Sequence, residues 1–567
     1  MSPAICFTLI QPPNNLLNGM MKLRHHFWLL AFLATVGPVV SQDYSAYTVL
    51  SQPLYTSGDT VFFKTYLLNS ETLVSDPVIM NLIVTDEDGR ELAHQKFRAE
   101  QGVGINQWAI PQDLSGVFMF SFFPETEDDH STPLVLFKKA VPVVKEKLFD
   151  NQPFFGENSG NSYEKLKDEA LEVKFRGLPA EVKRRERCVF DLQISANNHP
   201  VKAKLSVRID NSQLYDSMSN SVDIQQFDTK SKLTFTKSIK QSGTVSLKSG
   251  KKLNDSTQIM FFLQKTQWRQ QMILDESGVF DLWIPDFFYE DVLFFHAKDK
   301  KGLDIPDLQI QWNKATKRLI KGSAGITSNE SDRNSIYSQF SLRKNLTNQS
   351  YGFFGSQLDS LWIKEDQSVG PVSNSVIYMK DYRRFGTMEE YLKEVISTLK
   401  VRSAKSGKKI RARIDKPTFN DPLYVIDGYV TKDTEFFLSL DPSLLESVEV
   451  LTKTKYLRKY GLMGLDGVVI VNSLKGNVIV PLSETSLPIK GLNPLIPFNN
   501  KTKLFQPEAP DIRSTIYWNP SLATSEDGTV PINFFWSDDV GRVKIEVEGV
   551  TMSGRRFSTT KYVNVKQ

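Results

Sequence analysis

The sequence predicts a mainly β, multidomain protein: tandem β-sandwiches followed by one small α+β domain. Three observations predict it. Short runs rich in β-branched and aromatic residues, bounded by Gly, Asp and Ser turns, recur about every 8–12 residues as far as residue 312. Between 385 and 475 the pattern instead alternates helix and strand. A chain of 567 residues is also too long for one core, which sets a prior of about three to five domains.

Residues 1–41 read as a leader. Met21-Lys22-Leu23-Arg24 is basic, Phe27 to Val40 is apolar, and Val39-Val40-Ser41 precedes a cut near Gln42. The apolar run falls short of the ~20 residues that span a bilayer; it also reads as a signal anchor or a buried helix. No later segment is long and apolar enough to cross a membrane as a helix. The expectation is export, with no integral membrane span in the mature chain. A net charge of +4, from 69 basic and 65 acidic residues spread along the chain, gives no phosphate footprint, so nucleic acid is not expected as a partner. It gives no reason to expect an acidic partner either.

The first domain covers 43–145. Ser57-Gly58-Asp59 turns the chain into the strand-like Thr60-Val61-Phe62-Phe63-Lys64-Thr65-Tyr66-Leu67. Val78 to Val84 is closed by Asp86-Glu87-Asp88-Gly89, and Gln107 to Pro111 and Gly116 to Phe120 complete the pattern. The string Gln52-Pro53-Leu54-Tyr55-Thr56-Ser57-Gly58-Asp59-Thr60-Val61-Phe62-Phe63-Lys64 resembles the opening of the second macroglobulin domain of α2-macroglobulin-like proteins. Ser57 stands where that family prefers proline, a change expected to loosen the turn.

Residues 165–228 form a second β region. Pro200-Val201-Lys202-Ala203-Lys204-Leu205-Ser206-Val207-Arg208 alternates as a half-buried strand does, and resembles a further macroglobulin module. In 229–312, Leu274-Asp275-Glu276-Ser277-Gly278-Val279-Phe280-Asp281-Leu282 is similar to the turn-and-strand of carboxypeptidase regulatory domains. Residues 313–376 are polar and rich in Ser and Asn. They read as a linker or as irregular β structure, with Ile336 to Phe340 and Leu358 to Ile363 as candidate strands.

The α+β domain spans 377–480. Thr387-Met388-Glu389-Glu390 is a capping box, and Met388, Tyr391, Leu392, Val395 and Leu399 mark one helical face. An apolar strand, Leu423 to Ile426, meets the turn Asp427-Gly428. Asp441-Pro442 is a cap with proline at the first helical position, and Leu444 to Leu451 follow. Tyr460-Gly461 and Gly464-Leu465-Asp466-Gly467-Val468-Val469-Ile470-Val471 close the pattern. This order resembles the plug domain of TonB-dependent outer-membrane receptors in its Bacteroidetes variant. A receptor adds a barrel of about 22 strands, each ~9–11 residues long, and the sequence after Val480 is too short for that. The expectation is a plug-like domain with no barrel. The final segment, 481–567, reads as further strands around Ile532 to Trp536 and Val543 to Val547. With Asp511-Ile512-Arg513-Ser514-Thr515-Ile516-Tyr517-Trp518-Asn519-Pro520, it resembles the end of envelope proteins that combine both module types.

No catalytic machinery is recognisable, so the expectation is that the protein is not an enzyme and carries no cofactor and no metal. Cys188 is followed by Val189-Phe190-Asp191 rather than the thioester motif of protease-trapping macroglobulins. Arg184, Arg185 and Arg187 beside it could activate the thiol, but a buried, inert thiol on a strand is the preferred reading. Past the leader, His94, His130, His199 and His296 share no ligand spacing. The run Glu125, Glu127, Asp128 and Asp129 reads as a solvated loop before it reads as a Ca²⁺ site. Gly243…Gly250-Lys251-Lys252 has the wrong spacing for a phosphate loop.

The resemblances imply a Gram-negative envelope protein of the periplasm or the inner face of the outer membrane. It would act as a binding or scaffold protein, or as an accessory subunit of an outer-membrane transport or secretion complex. Its partner would be an envelope protein, an outer-membrane barrel among the options. Tyr429, Val430, Leu462 and Met463, on loops of the plug-like domain, are the candidate protein contacts. Leu423, Val425, Val448, Val450, Val468 and Ile470 are expected to bury within that domain.

Overall fold

A computed structural model describes residues 44–70, 72–127, 135–144, 171–212, 223–224, 234–313, 339–347, 376–404, 407–414, 420–482, 486–498, 500 and 510–567. The leader and most of the 313–376 stretch, including Leu358 to Ile363, lie outside the described residues. The architecture is mainly β, in several sheets and several domains. No helix among the described residues is long and apolar enough to cross a membrane.

In the first sandwich, the strands Tyr44–Leu50, Thr60–Asn69, Val103–Ala109, Glu91–Glu100, Val78–Thr85, Gly116–Pro124 and Phe137–Val144 follow one another in that spatial order. They enclose Tyr55, Phe63, Leu82, Phe97, Phe120 and Phe122. The turn before Thr60 is held from both sides. Asp59 accepts from the Thr56 amide at 2.8 Å and its hydroxyl at 2.9 Å. Ser57, expected to loosen this turn, instead donates its hydroxyl to the Leu114 carbonyl at 2.7 Å. A proline could make no such bond.

The second sandwich joins distant parts of the chain. Ala203–Asn211 lies between Thr515–Ala523 and Gly541–Thr551, and Arg187–Ala196 lies between Leu171–Arg176 and Thr529–Phe535. Its core holds Phe190, Leu192, Leu205, Val207, Ile209, Ile532 and Val547. The sequence-based boundaries are corrected here: the 165–228 region and the C-terminal segment are halves of one domain. Each half has an apolar face that only the other covers.

A third sandwich lies between those halves. Ile239–Leu247 runs between Val279–Ile284 and Leu308–Trp312. Facing it, Thr257–Leu263 runs between Arg269–Leu274 and Glu290–Lys298. The chain leaves after Trp312 to build the α+β module and returns with Ser486–Lys490, which pairs with Glu290–Lys298. The turn at Gly278 (φ 66°) requires glycine, because a Cβ there would lie 2.1 Å from the Val245 carbonyl oxygen. The domains are therefore nested: the second sandwich encloses the third, and the third encloses the module.

In the module the strand order is Val376–Tyr378, Leu445–Leu451, Val468–Ser473, Leu423–Ile426 and Tyr429–Thr431. Helix α1, Met388–Glu394, is capped by Thr387, which accepts from the Glu390 amide at 3.2 Å. It stops at Val395, short of Leu399, which instead opens the strand Leu399–Ala404. Helix α2, Thr434–Ser439, follows the Asp433 cap. Asp441-Pro442 starts only a short 3-10 turn before Leu445–Leu451. Residues 339–347, expected as strand in part, are helical. Their Arg343 donates to the Ile512 carbonyl at 2.9 Å, and Lys344 pairs with Asp59.

Candidate functional site

The loops that carry the candidate contact residues are fixed by backbone geometry. Asp427 and Gly428 both have positive φ, 47° and 86°, and Ile426 pairs with Tyr429 across them. That is the two-residue hairpin turn favoured by Asp-Gly. The Asp427 carboxylate is buried and accepts from the Ser473 amide (2.7 Å), the Ser473 hydroxyl (2.6 Å) and the Val478 amide (2.9 Å). It holds the turn, as expected, and ties it to the end of Val468–Ser473. The second loop bends at Gly461, whose φ of 53° and ψ of −135° interrupt the helical turns of 458–466.

Both faces of the five-stranded sheet are covered. One packs on Met388, Tyr391, Leu392 and Phe437 through Tyr424, Ile426, Val448, Val469 and Val471. The other presents Leu423, Val425, Leu451, Val468 and Ile470 to Tyr460, Leu462 and Met463, and to Met260, Phe262 and Phe294 of the third sandwich. Val430 is 2% exposed, Leu462 4% and Met463 0%, while Tyr429 is half-buried. The expectation of exposed contact loops is therefore corrected. Val430, Leu462 and Met463 instead pack against the neighbouring domain of the same chain. Likewise Leu423, Val425, Val468 and Ile470 bury in a core shared with that domain; only Val448 and the half-buried Val450 pack in the module's own.

Polar groups fix the register of this contact on two sides. Gln264 donates its side-chain amide to the Val430 carbonyl (2.8 Å) and accepts from the Val430 amide (2.5 Å). It thereby satisfies the outer edge of Tyr429–Thr431 as another strand would. On the other side, Lys298 is buried between Asp304 (2.8 Å) and Asp466, and Asp304 also contacts Lys432 (3.2 Å) and the His296 ring at 2.9 Å. Asn420 donates to Asp466 (3.1 Å) and accepts from the Asp304 amide (3.0 Å).

Burial lowers the His296 pKa below its ordinary value, and the Asp304 hydrogen bond only partly opposes this. Burial would raise Asp304, but the His296 hydrogen bond and the charges of Lys432, His296 and Lys298 hold it below the usual carboxylate range. Both shifts have one sign: the separated or unfolded chain binds more protons than the docked one, so stability rises with pH and is lost as pH falls. The His296 contribution fades below the ordinary imidazole value of about 6.5. The Asp304 contribution is lost only at strongly acid pH. The melting temperature is expected to drop between pH 7.5 and pH 5, and His296→Gln should flatten that drop; an equal drop in the variant would assign it elsewhere.

No family model matches the sequence, and no curated protein matches it. Solved structures give distant likenesses. Salmonella α2-macroglobulin reacted with methylamine aligns over 93% of this chain and 40% of its own length, at 8% identity and a TM-score of 0.23. Escherichia coli α2-macroglobulin activated by porcine elastase aligns over 92% of this chain and 44% of its own, at 9% identity and the same TM-score of 0.23. A tetra-tandem repeat from the extending region of a large adhesion protein aligns over 92% of this chain and 99% of its own, at 7% identity and a TM-score of 0.12. This chain thus spans less than half the length of those macroglobulins.

The remaining candidates are dispersed. His94 contacts Asn81 at 2.9 Å, His199 is exposed, and His130 lies outside the described residues. Glu125 pairs with Lys96 at 2.9 Å, and Asp128 and Asp129 are outside the described residues. Among the described residues, no three His, Cys, Asp or Glu side chains are grouped to hold a metal ion. Cys188 is buried on Arg187–Ala196, and burial pushes its thiol up to about 11. A thiol with so little thiolate at neutral pH is a poor nucleophile. A thiol reagent should label the Cys188 peptide only after denaturation; labelling of the native chain would contradict this burial.

Proposed function

We propose that this chain is a non-enzymatic binding or scaffold protein of the Gram-negative envelope, built from macroglobulin-like sandwiches that carry a plug-like module. The observation that supports this best is the docking of the module, an insertion whose sheet shares a core with the third sandwich and is clamped by Gln264. Such an arrangement gives a fixed relation between domains, which suits presentation of a surface to a partner. The alternative, an accessory subunit whose module seats in a separately encoded barrel, fits less well. A seated plug needs an outer face to offer the barrel wall, and both faces of this sheet are already covered. The site in the cell is the periplasm or the inner face of the outer membrane, a reading that rests on the leader.

Cell fractionation with chemical cross-linking tests the proposal. The full chain is expected in the envelope fraction, cross-linked to a defined protein, and replacing residues 376–482 by a short linker should remove that cross-link. A cytoplasmic chain, or turnover of a peptide or glycan by the purified protein, would overturn it.

A further inference from the structure

One hairpin of the module breaks a rule of sheet construction. Residues 399–413 hold Lys or Arg at seven positions and no Asp or Glu. Among the described residues, Leu399–Ala404 and Gly407–Ala412 pair only with each other, with Lys400 opposite Arg411 and Arg402 opposite Lys409. Directly opposed residues share a face, so these four cations stand together, ~5 Å apart across the strands and ~7 Å apart along them. The other face buries Leu399, Ile410 and Ala412. Lys400, Arg402 and Lys409 are exposed and Arg411 is half-buried. Only Lys409 has a carboxylate nearby, Asp421, which burial raises above its ordinary pKa, a shift that the Lys409 charge opposes only in part. Among the described residues, Lys400, Arg402 and Arg411 have none. Like charges directly opposed destabilise a strand pair, and nothing within the hairpin compensates for two such pairs.

The backbone adds a second, independent observation. The amides of Lys408 and Ile410 turn away from the partner strand, toward Glu435 (2.8 Å) and Asp421 (2.6 Å). Their cross-strand neighbours Ser403 and Val401 must therefore also turn their amide and carbonyl groups outward, on the opposite edge. There, no described residue pairs with them. One edge of the hairpin is capped and the other is open.

We propose that the open edge of Leu399–Ala404 takes up an extended acidic peptide segment of a partner protein. The segment would add as a third strand, bonding to the backbone of Val401 and Ser403 and setting alternate carboxylates against Lys400 and Arg402. Charged residues on an edge commonly serve only to prevent aggregation, and here they do forbid pairing between two copies of the hairpin. That same repulsion selects a strand of opposite charge. The hairpin carries no aromatic side chain on which a base could stack, which disfavours single-stranded nucleic acid. Neither the modest net charge of the chain nor its even distribution revealed this patch, because acidic residues elsewhere offset it.

This inference rests on the reading of the chain as a contact protein, and the test uses purified components so that the two can fail separately. The full chain is titrated against a fluorescent heptapeptide that alternates Glu with Thr or Val, and against one of the same composition with its Glu residues in a block. The alternating peptide is expected to bind about tenfold more tightly or better. Lys400→Glu with Arg402→Glu should abolish binding without lowering the melting temperature, because each Glu then stands opposite a cation. Val401→Pro should weaken it through the lost outward amide, and so should N-methylation of alternate peptide nitrogens. Equal binding of both peptides, retention by the charge-reversed chain, or capture of polyphosphate or anionic phospholipid vesicles but not of the alternating peptide would overturn the proposal. A chain that keeps its envelope cross-link yet ignores the alternating peptide would sink the hairpin inference alone.

Discussion

A chain ending at residue 510 is expected to lose its second sandwich entirely and to become largely insoluble. The strand Ala203–Asn211 would then lack both of its neighbours, Thr515–Ala523 and Gly541–Thr551. Leu205, Val207 and Ile209, each fully buried in the native chain, would face water. Burial of a large aliphatic side chain contributes about 1.5–3 kcal/mol. Those three residues alone then approach the 5–15 kcal/mol total stability of an ordinary domain. Limited proteolysis of the truncated chain should clear residues 171–211 while the first and third sandwiches survive longer. A soluble product with 171–211 still protected would show that this half folds alone.

The second large effect falls on Met463. Were it a surface contact, Met463→Asp would leave the fold untouched. Met463 is instead fully buried among Leu462, Tyr460, Met260 and Phe262. An unpaired carboxylate there should cost on the order of 4 kcal/mol or more. Thermal unfolding is expected to split into two steps, the earlier reporting release of residues 376–482. Tyr429→Ala, at a half-buried position, should cost only about 1 kcal/mol. Comparable small losses in both variants would return these loops to the surface.

The sequence makes local elements legible and long-range pairing nearly invisible. Thr387 caps its helix as the capping box implies, and Asp427-Gly428 forms the turn that its residue types favour, because both are decided within a few residues. The strands around Ile532 and Val543 are equally local and equally readable. Their pairing with Val189 and Val207 spans more than 300 residues and leaves no periodic trace in either segment. That is why one sandwich reads as two domains. Leu399 shows the opposite error: its spacing continues a helical face, but the helix has already ended and the same residue is buried from a strand.

The docked face did leave a signal. Ile259-Met260-Phe261-Phe262-Leu263 is apolar at every position, where a strand with one solvated face would alternate. Ile259, Phe261 and Leu263 fill the sandwich core, while Met260 and Phe262 point to the module. Leu462 and Met463, read as contacts for a separate partner, are buried in this face. What residue types could not say is that the contact lies within the chain.

The central claim is that the module is docked on the third sandwich through this face. Native-state hydrogen exchange tests it most directly at Val430, whose amide donates to Gln264. The account predicts slow exchange in peptides covering 428–432 and 457–466, matched by slow exchange across 258–264, because each segment is buried by the others. Fast exchange at Val430 and across 457–466, with the sandwich core still protected, would mean a module that swings free, and would contradict the account.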